Sequence, residues 1–478
     1  MIKRIRIEDR EFLRMKTTRR FRQGQSLDQP FLLPPALTDW LPAKHPVYAW
    51  DQLLEELDLT AIRDTYGPKG QPPYDPRIMV KILVYGYARG VQSSRQLERA
   101  CWEDVAFRVL SRNQHPDFWT LATFRRRHLT ALGDLLQQSV QLATAVGLVH
   151  LKDVAIDGTK VKASASKHRA MSYAHLQERE PELVAEIHGY LDHLEAQDQA
   201  EDAAHGSDQD GWSAPPALAD AQRRLATIQA AKARLEAQAQ ARAAAAQAEK
   251  TAQAEAAGKP APPPPEGPAV PKPKAQTNFT DPDSRIMRNS DQAFIQGYNA
   301  QVAVDADSQI IVAATVTNQA ADSPHLLPVL DQVRTNTGRM PRGVLADAGY
   351  WSEHNLDGCA ARQVPAAIPP EKLTHRVWRT APSPRGRIPQ HLSRKDRMRR
   401  YLRTKGGRRR YRRRQCSVEP AIGYLKTVQG CRQFLLRSLA KVEPEWRFHC
   451  AVANLARVLR RADRLTTPGR RGALAWGS

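Results

Sequence analysis

Through the first third of the chain, apolar residues recur at helical spacing. Leu53, Leu54, Leu57, Ala61 and Ile62 form one stripe; Ile78, Met79, Ile82 and Leu83, followed by residues 85–88, form another. Pro76 stands in the first turn of that second helix, where a missing N–H is tolerated. The stretch 90–95 (Gly-Val-Gln-Ser-Ser-Arg) reads as a turn with a serine cap, and a helix is predicted over residues 95–110. Pro116 breaks the chain, and Thr120 or Thr123 is placed to cap a helix carrying Arg125, Arg126 and Arg127. Two short helices joined by a tight polar turn, the second rich in arginine, suit a helix-turn-helix that contacts DNA; a plain helical bundle has the same pattern.

The period then changes. Val154 and Ile156 alternate with Ala155 and Asp157, which predicts a short strand within residues 152–163. Residues 299–305 and 309–317 are apolar runs separated by Ala306-Asp307-Ser308, the pattern of an antiparallel hairpin. A helix is predicted over 321–337, a short strand over 343–349, a helix from Ser352 to residue 362, a short strand over 364–368 and an amphipathic helix over 443–462. Residues 174–275 differ from all of this. Two long Ala/Gln/Glu stretches (176–197 and 217–257) precede a proline-rich segment expected to be extended. They predict a helical hairpin and a stiff linker, projecting from the fold or serving self-association.

Composition sharpens the picture through charge. The 478 residues, 41% hydrophobic, allow a full core and two or three domains. A formal charge of +22 points to a polyanionic partner. No apolar span is long enough for a membrane helix, and the start (Met-Ile-Lys-Arg-Ile-Arg) lacks the apolar stretch of a secretory signal, so no membrane partner and a cytoplasmic, nucleoid-associated location are expected. The five cysteines form no Cys-x-x-Cys pair, so a zinc finger is not supported. The charge is unevenly spread. Residues 174–275 hold ten Lys/Arg against sixteen Asp/Glu, whereas residues 1–30 hold nine against four and read as a basic arm. Residues 394–414 hold thirteen Lys/Arg and one Asp, with Tyr401 and Tyr411 interleaved. A solvated patch would look similar, but a run this dense favours phosphate contact.

Two aspartates, Asp157 and Asp347, end or interrupt short apolar strands, and Glu419 is expected near the start of a helix with Pro420 in its first turn. If that stretch is helical, Glu419, Ile422, Gly423 and Lys426 share a face. An aspartate at a strand end is ordinarily a turn or cap residue, and Asp153, Asp281, Asp283, Asp305 and Asp307 compete for the same role. Two strand-borne aspartates and one helix-borne glutamate are nevertheless what a two-metal phosphodiester site requires, since Mg²⁺ prefers hard oxygen ligands on a rigid platform.

In these stretches the sequence resembles the DDE-type transposases of bacterial insertion sequences, in the branch with a Y-R-E-K block. The resemblance is carried by residues 155–159 (Ala-Ile-Asp-Gly-Thr), 281–287, 297–305, 345–350 (Leu-Ala-Asp-Ala-Gly-Tyr), by Tyr411, Arg414, Glu419 and Lys426, and by residues 76–128. One departure concerns spacing: four residues rather than three separate Arg414 from Glu419, and Gln415 stands in the strict slot.

The resemblance implies an α/β ribonuclease-H-like core, a mixed sheet with flanking helices, joined to an all-α N-terminal domain and a helical insertion. The expected division is a basic arm (1–30), a helical DNA-binding domain (31–150), a catalytic domain (151–173 and 276–465), the insertion (174–275) and a tail (466–478). Asp157, Asp347 and Glu419 are implied as catalytic ligands of two Mg²⁺ ions, with Mn²⁺ a substitute. Tyr411, Arg414 and Lys426 are implied to contact DNA, with Arg408, Arg409, Arg410, Arg412 and Arg413 of the basic run beside them. The implied activity is binding of the element's terminal inverted repeats, followed by Mg²⁺-dependent cleavage and strand transfer on double-stranded DNA by a dimer or larger assembly. A purely hydrolytic or non-catalytic DNA-binding relative is the alternative.

Overall fold

The computed structural model describes residues 36–67, 72–205, 216–256, 258, 260, 263, 267–289, 291–371, 382–389 and 391–466. The expected basic arm, all but the first residue of the expected tail and part of the proline-rich segment lie outside them.

The helical region comprises α1 (Pro46–Glu55), α2 (Thr60–Arg63), α3 (Pro76–Ala88), α4 (Ser94–Glu103), α5 (Val105–Leu110), α6 (Phe118–Arg127) and α7 (Leu129–Ala145). Pro76 opens α3 as expected, and the Asp75 carboxylate accepts from the Arg77 N–H at 2.8 Å. The single helix predicted over 95–110 is broken. Asp104 leaves helical geometry, and its side chain accepts from the Ala106 N–H at 2.8 Å, ending α4 and starting α5. The cap of α6 is Asp117, which accepts from the Thr120 N–H at 2.7 Å, rather than Thr120 or Thr123. An ionised carboxylate is the better acceptor for an exposed N–H, and the Thr120 hydroxyl instead donates to Asp117. Arg125 turns inward, donating to the Tyr87 hydroxyl, the Gln92 carbonyl and the Ser94 hydroxyl. It is a strut between helices, while Arg126 lies over the Trp119 ring and Arg127 over Tyr66.

The sheet consists of β1 (Val154–Lys162), β4 (Arg285–Arg288), β5 (Phe294–Asp305), β6 (Ile311–Thr317), β7 (Val344–Leu345) and β8 (Ala366–Ala367); β2 (Ala170–Ser172) and β3 (Gln276–Asn278) pair separately. The long strand β5 pairs antiparallel with β1 on one side. On its other side it pairs with β4 through its first residues and with β6 through the rest. The expected hairpin is thus β5–β6. Strands β7 and β8 follow β1 in parallel. Helices α10 (Leu326–Thr337), α11 (Glu353–Ala361), α12 (Arg394–Arg403), α13 (Lys405–Thr427) and α14 (Leu439–Thr466) complete this part. Helix α14 lies against both α7 and β6, and Gly133 allows the approach, since a Cβ there would stand 2.9 Å from Pro444 Cα. One apolar cluster therefore runs from Val47 through Val302 to Val458, tying the helical region to the sheet.

Between β2 and β3 the insertion forms the predicted hairpin, α8 (Tyr173–His205) and α9 (Pro216–Ala256). It has its own small core: Leu176, Leu183, Ile228 and Leu235 near the root, then Ile187, Leu218 and Ala221. Among the described residues no helix is long and apolar enough to cross a membrane.

Candidate active site

The register of β1 and β7 decides where the aspartates stand. Val154 pairs with Val344 and Ala155 with Leu345 in parallel. Asp157 and Asp347 each follow that last pair by two residues, so Asp157, within β1, stands at the level of Asp347, just past the end of β7. Asp157 accepts from the Gly158 N–H at 2.9 Å, and Asp347 caps the short turn Ala348–Tyr350 by accepting from the Gly349 N–H at 2.9 Å.

Helix α13 brings the third acid. Thr404 caps it, accepting from the Gly407 N–H at 3.0 Å, and the basic run continues as helix. Glu419 therefore lies well inside the helix, not near its start, and Pro420 is an interior proline. Proline offers no N–H to the Cys416 carbonyl one turn back. The Gln309 side chain makes up the loss, donating to that carbonyl at 2.9 Å. The buried stripe of α13 is Gly407, Tyr411, Arg414, Val418, Ala421 and Leu425, which packs the helix across β1 and β5. Arg414 thus occupies a core position, and its partner is an acid: Nη2 donates to Asp157 Oδ2 at 2.6 Å. Nη1 is 3.9 Å from Glu419 Oε1. Arg414 bridges the strand-borne and helix-borne acids.

Electrostatics report the same convergence. Burial pushes the Asp157 carboxyl up to about 6; Arg414 opposes the shift and nearby Asp347 adds to it. Burial likewise raises the Tyr411 phenol to about 12, against Arg414, with Asp347, Asp157 and Glu419 all contributing. All three acids thus lie within electrostatic reach of Tyr411. Lys426, its charge disfavoured by burial, donates to the Lys160 carbonyl on β1 at 3.3 Å.

The rest of the basic run divides. Arg410 donates to Asp153 at 2.8 Å and Arg413 to the same carboxylate at 3.0 Å and to Asp307, so both are paired within the protein. Arg409 and Arg412 are exposed, and Arg408 is half-buried.

A fourth acid was not foreseen. Asp322 Oδ1 accepts from Asn299 at 2.7 Å, Gln301 at 2.9 Å and Lys160 at 3.2 Å. It overhangs both aspartate turns. A Cβ on Gly158 would stand 2.6 Å from Asp322 Oδ1, and one on Gly349 would lie 3.1 Å from Asp347 Oδ1 and 3.5 Å from Asp322 Oδ2. A side chain after Asp157 would displace the polar ends of Gln301, Asp322 and Asn299. Tyr350 completes the group, its hydroxyl donating to Gln301 Oε1. The one signal in the sequence was a pair of amides, Asn299 and Gln301, on one face of an otherwise apolar strand.

Among the described residues no three acidic, histidine or cysteine side chains close on one point as they would around a bound metal. The donor set still fits a hard cation. Asp157 and Asp347 are half-buried and repel each other electrostatically, and the Arg414 guanidinium is the cation paired with Asp157.

Comparison with known families follows this geometry. The family described as Transposase DDE domain matches residues 270–455, and the family described as Transposase domain (DUF772) matches residues 35–127. Strand β1, with Asp157, falls between the two matched stretches. No curated protein and no solved structure matches the chain. The part from β3 into α14, with Asp347 and Glu419, and the helical part packed against it are each matched by a transposase family, and the chain belongs to the DDE transposases of insertion sequences.

Proposed function

We propose that the protein binds the terminal inverted repeats of its element, cleaves DNA there in a Mg²⁺-dependent reaction, and joins the freed end to target DNA. The observation that carries this reading is the placement of Asp157 and Asp347 at the same level of adjacent parallel strands, with the helix bearing Glu419 crossing beside them. The strand order β6-β5-β1-β7-β8, antiparallel then parallel, supports a ribonuclease-H-like core.

In this reading Asp157, Asp347 and Glu419 hold the divalent cations, Mg²⁺ or Mn²⁺, which supply charge stabilisation for the attacking and leaving oxygens. The protein's own groups do the positioning. Arg414 keeps Asp157 ionised and, with Tyr411 and Lys426, faces the scissile phosphate. Arg409 and Arg412 contact the flanking backbone. Asp322, Asn299, Gln301 and Lys160 keep the two aspartate turns in register. Water attacks at the element's end and leaves a 3′-hydroxyl, which then attacks a target phosphodiester, exchanging one bond for another. Two ends must be held together, so the working unit is a dimer or larger, acting on chromosomal DNA in the cytoplasm.

The test uses full-length protein and a labelled duplex carrying one end of the element with its flank. Wild-type protein nicks the duplex when Mg²⁺ is added and joins the product to plasmid DNA. Asp157→Ala, Asp347→Ala and Glu419→Ala bind the duplex but leave it uncut; full cutting by any of them removes that residue from the site. Asp322→Asn slows cutting by roughly 10–100-fold and raises the Mg²⁺ needed, without weakening DNA binding. Nicking without joining makes the protein a hydrolytic nuclease, and binding without nicking makes it a DNA-binding relative.

A further inference from the structure

A cleft of about 710 Å³ opens at the root of the insertion and takes no part in the chemistry above. Its floor is apolar, with Leu183, Ile228 and Phe279, and its rim carries Arg169, Arg179, Arg223 and Arg224. The hairpin as a whole is acidic, yet three of the five arginines within residues 174–275 stand on this one cleft. Its wall is pinned. Asn278 donates to the Ser166 carbonyl at 2.7 Å and the Phe279 N–H to the Arg169 carbonyl at 3.0 Å, fixing the turn Lys167–Arg169. Arg179 and Arg223 pair with Glu182 and Asp220 one helical turn away. Exposed pairs of that kind are weak, so a phosphate can compete for either arginine.

The cleft is linked to the catalytic centre through β1. β1 runs from Asp157 to Lys162, about 17 Å of extended chain, and then leads to the cleft wall. Basic groups line this path. The Lys162 N–H donates to the Arg432 carbonyl at 3.1 Å, and Arg437 donates to the Ser164 carbonyl at 2.9 Å. Lys162, Arg432, Arg437 and Lys167 are all exposed. They form a cationic trail from the acids to the arginine rim.

We propose that this cleft grips the phosphate backbone of the duplex whose cleavage point lies at Asp157 and Asp347, which makes the insertion a DNA clamp. The inference rests on the phosphodiester reading of that site. The acid excess of the remaining hairpin confines the contact to its root, which reconciles a net negative insertion with a DNA-binding role.

The experiment measures binding of full-length protein to a labelled random-sequence duplex about four helical turns long, across a range of salt. The combined variant Arg169→Gln, Arg223→Gln and Arg224→Gln is compared with Arg234→Gln and Lys250→Gln, which lie in the same hairpin but do not line the cleft. The cleft variant should lose about 0.9 from the log–log salt slope for each phosphate contact removed, and at least tenfold in affinity near physiological salt; the controls should match wild type. A cleft variant with wild-type thermal midpoint, slope and affinity overturns the clamp. As a second measurement, a photo-cross-linker on Thr227→Cys, at the cleft, should capture the duplex; wild-type affinity with no cross-link also overturns it. Wild-type protein that binds no duplex sinks the catalytic reading as well. Wild-type protein that binds and cuts while the cleft variant does the same sinks the clamp alone.

Discussion

The seam between β1 and α13 and the hairpin of the insertion use charge in opposite ways. In the seam, ionic partners are remote in sequence: Arg410 and Arg413 meet Asp153, and Arg414 meets Asp157, some 257 to 260 positions away. In the insertion, Arg179–Glu182 and Arg223–Asp220 are one helical turn apart, and one longer link, Lys232 to Glu180 at 2.7 Å, joins the two helices. The environments differ as much as the spacing. The Asp153 side chain is 10% exposed and that of Glu182 59%. A buried charge that loses its partner is strongly destabilising, whereas an exposed pair contributes little. Charge in the seam therefore specifies how distant segments dock, whereas charge in the hairpin is mostly exposed and local, with Lys232–Glu180 the longer link between its helices.

Four measurements can break or sharpen that contrast. The largest effect is expected at Asp153. Asp153→Ala strips the shared carboxylate from Arg410 and Arg413 and should cost about 3–5 kcal/mol in denaturant unfolding. A loss near that of an exposed pair would place the seam in the same class as the hairpin. Leu183→Ala comes next, since Leu183 is fully buried in the small hairpin core. It should cost about 2–5 kcal/mol, felt as proteolytic opening of α8 and α9 while the main transition holds. Simultaneous collapse of the sheet would show that the hairpin is not a separate unit.

The third measurement concerns pH. His449 is buried beside Gln429, at the end of α13, and burial, helped by Arg125, lowers it to about 3. A histidine depressed in the folded state contributes stability that is present above its unfolded value near 6.5 and is lost as pH falls towards 3. About 2 kcal/mol should disappear between pH 7 and 5, and His449→Gln should flatten that slope. An unchanged slope would mean that His449 takes up its proton without unfolding the site around it. The smallest effect is expected for Arg179→Ala, below about 0.5 kcal/mol. A larger loss would mean that the hairpin, too, depends on its ion pairs.

The local elements were legible wherever periodicity was strong. The predicted helix containing residues 78–88, the β5–β6 hairpin and the two insertion helices all form. Two failures share one cause, the competition among nearby polar groups for backbone N–H groups. Asp104 split a helix and Asp117 displaced the expected threonine caps. Pro420 suggested a helix start because its compensation, the Gln309 side chain, comes from more than a hundred residues away. Asp322 was unreadable for the same reason, because its partners Lys160, Asn299 and Gln301 lie on two other strands.

By itself, the sequence determined the families to which this chain belongs, its basic balance, the acidic hairpin and the aspartates that end its apolar strands, because each depends on residues close together along the backbone. Only the tertiary structure decided that Arg414 points at Asp157, that Arg410 and Arg413 are held by Asp153, and that Asp322 stands over both turns. Those outcomes depend on strand register and on how a helix crosses a sheet. Both follow from the packing of the whole core, to which no single stretch of sequence corresponds.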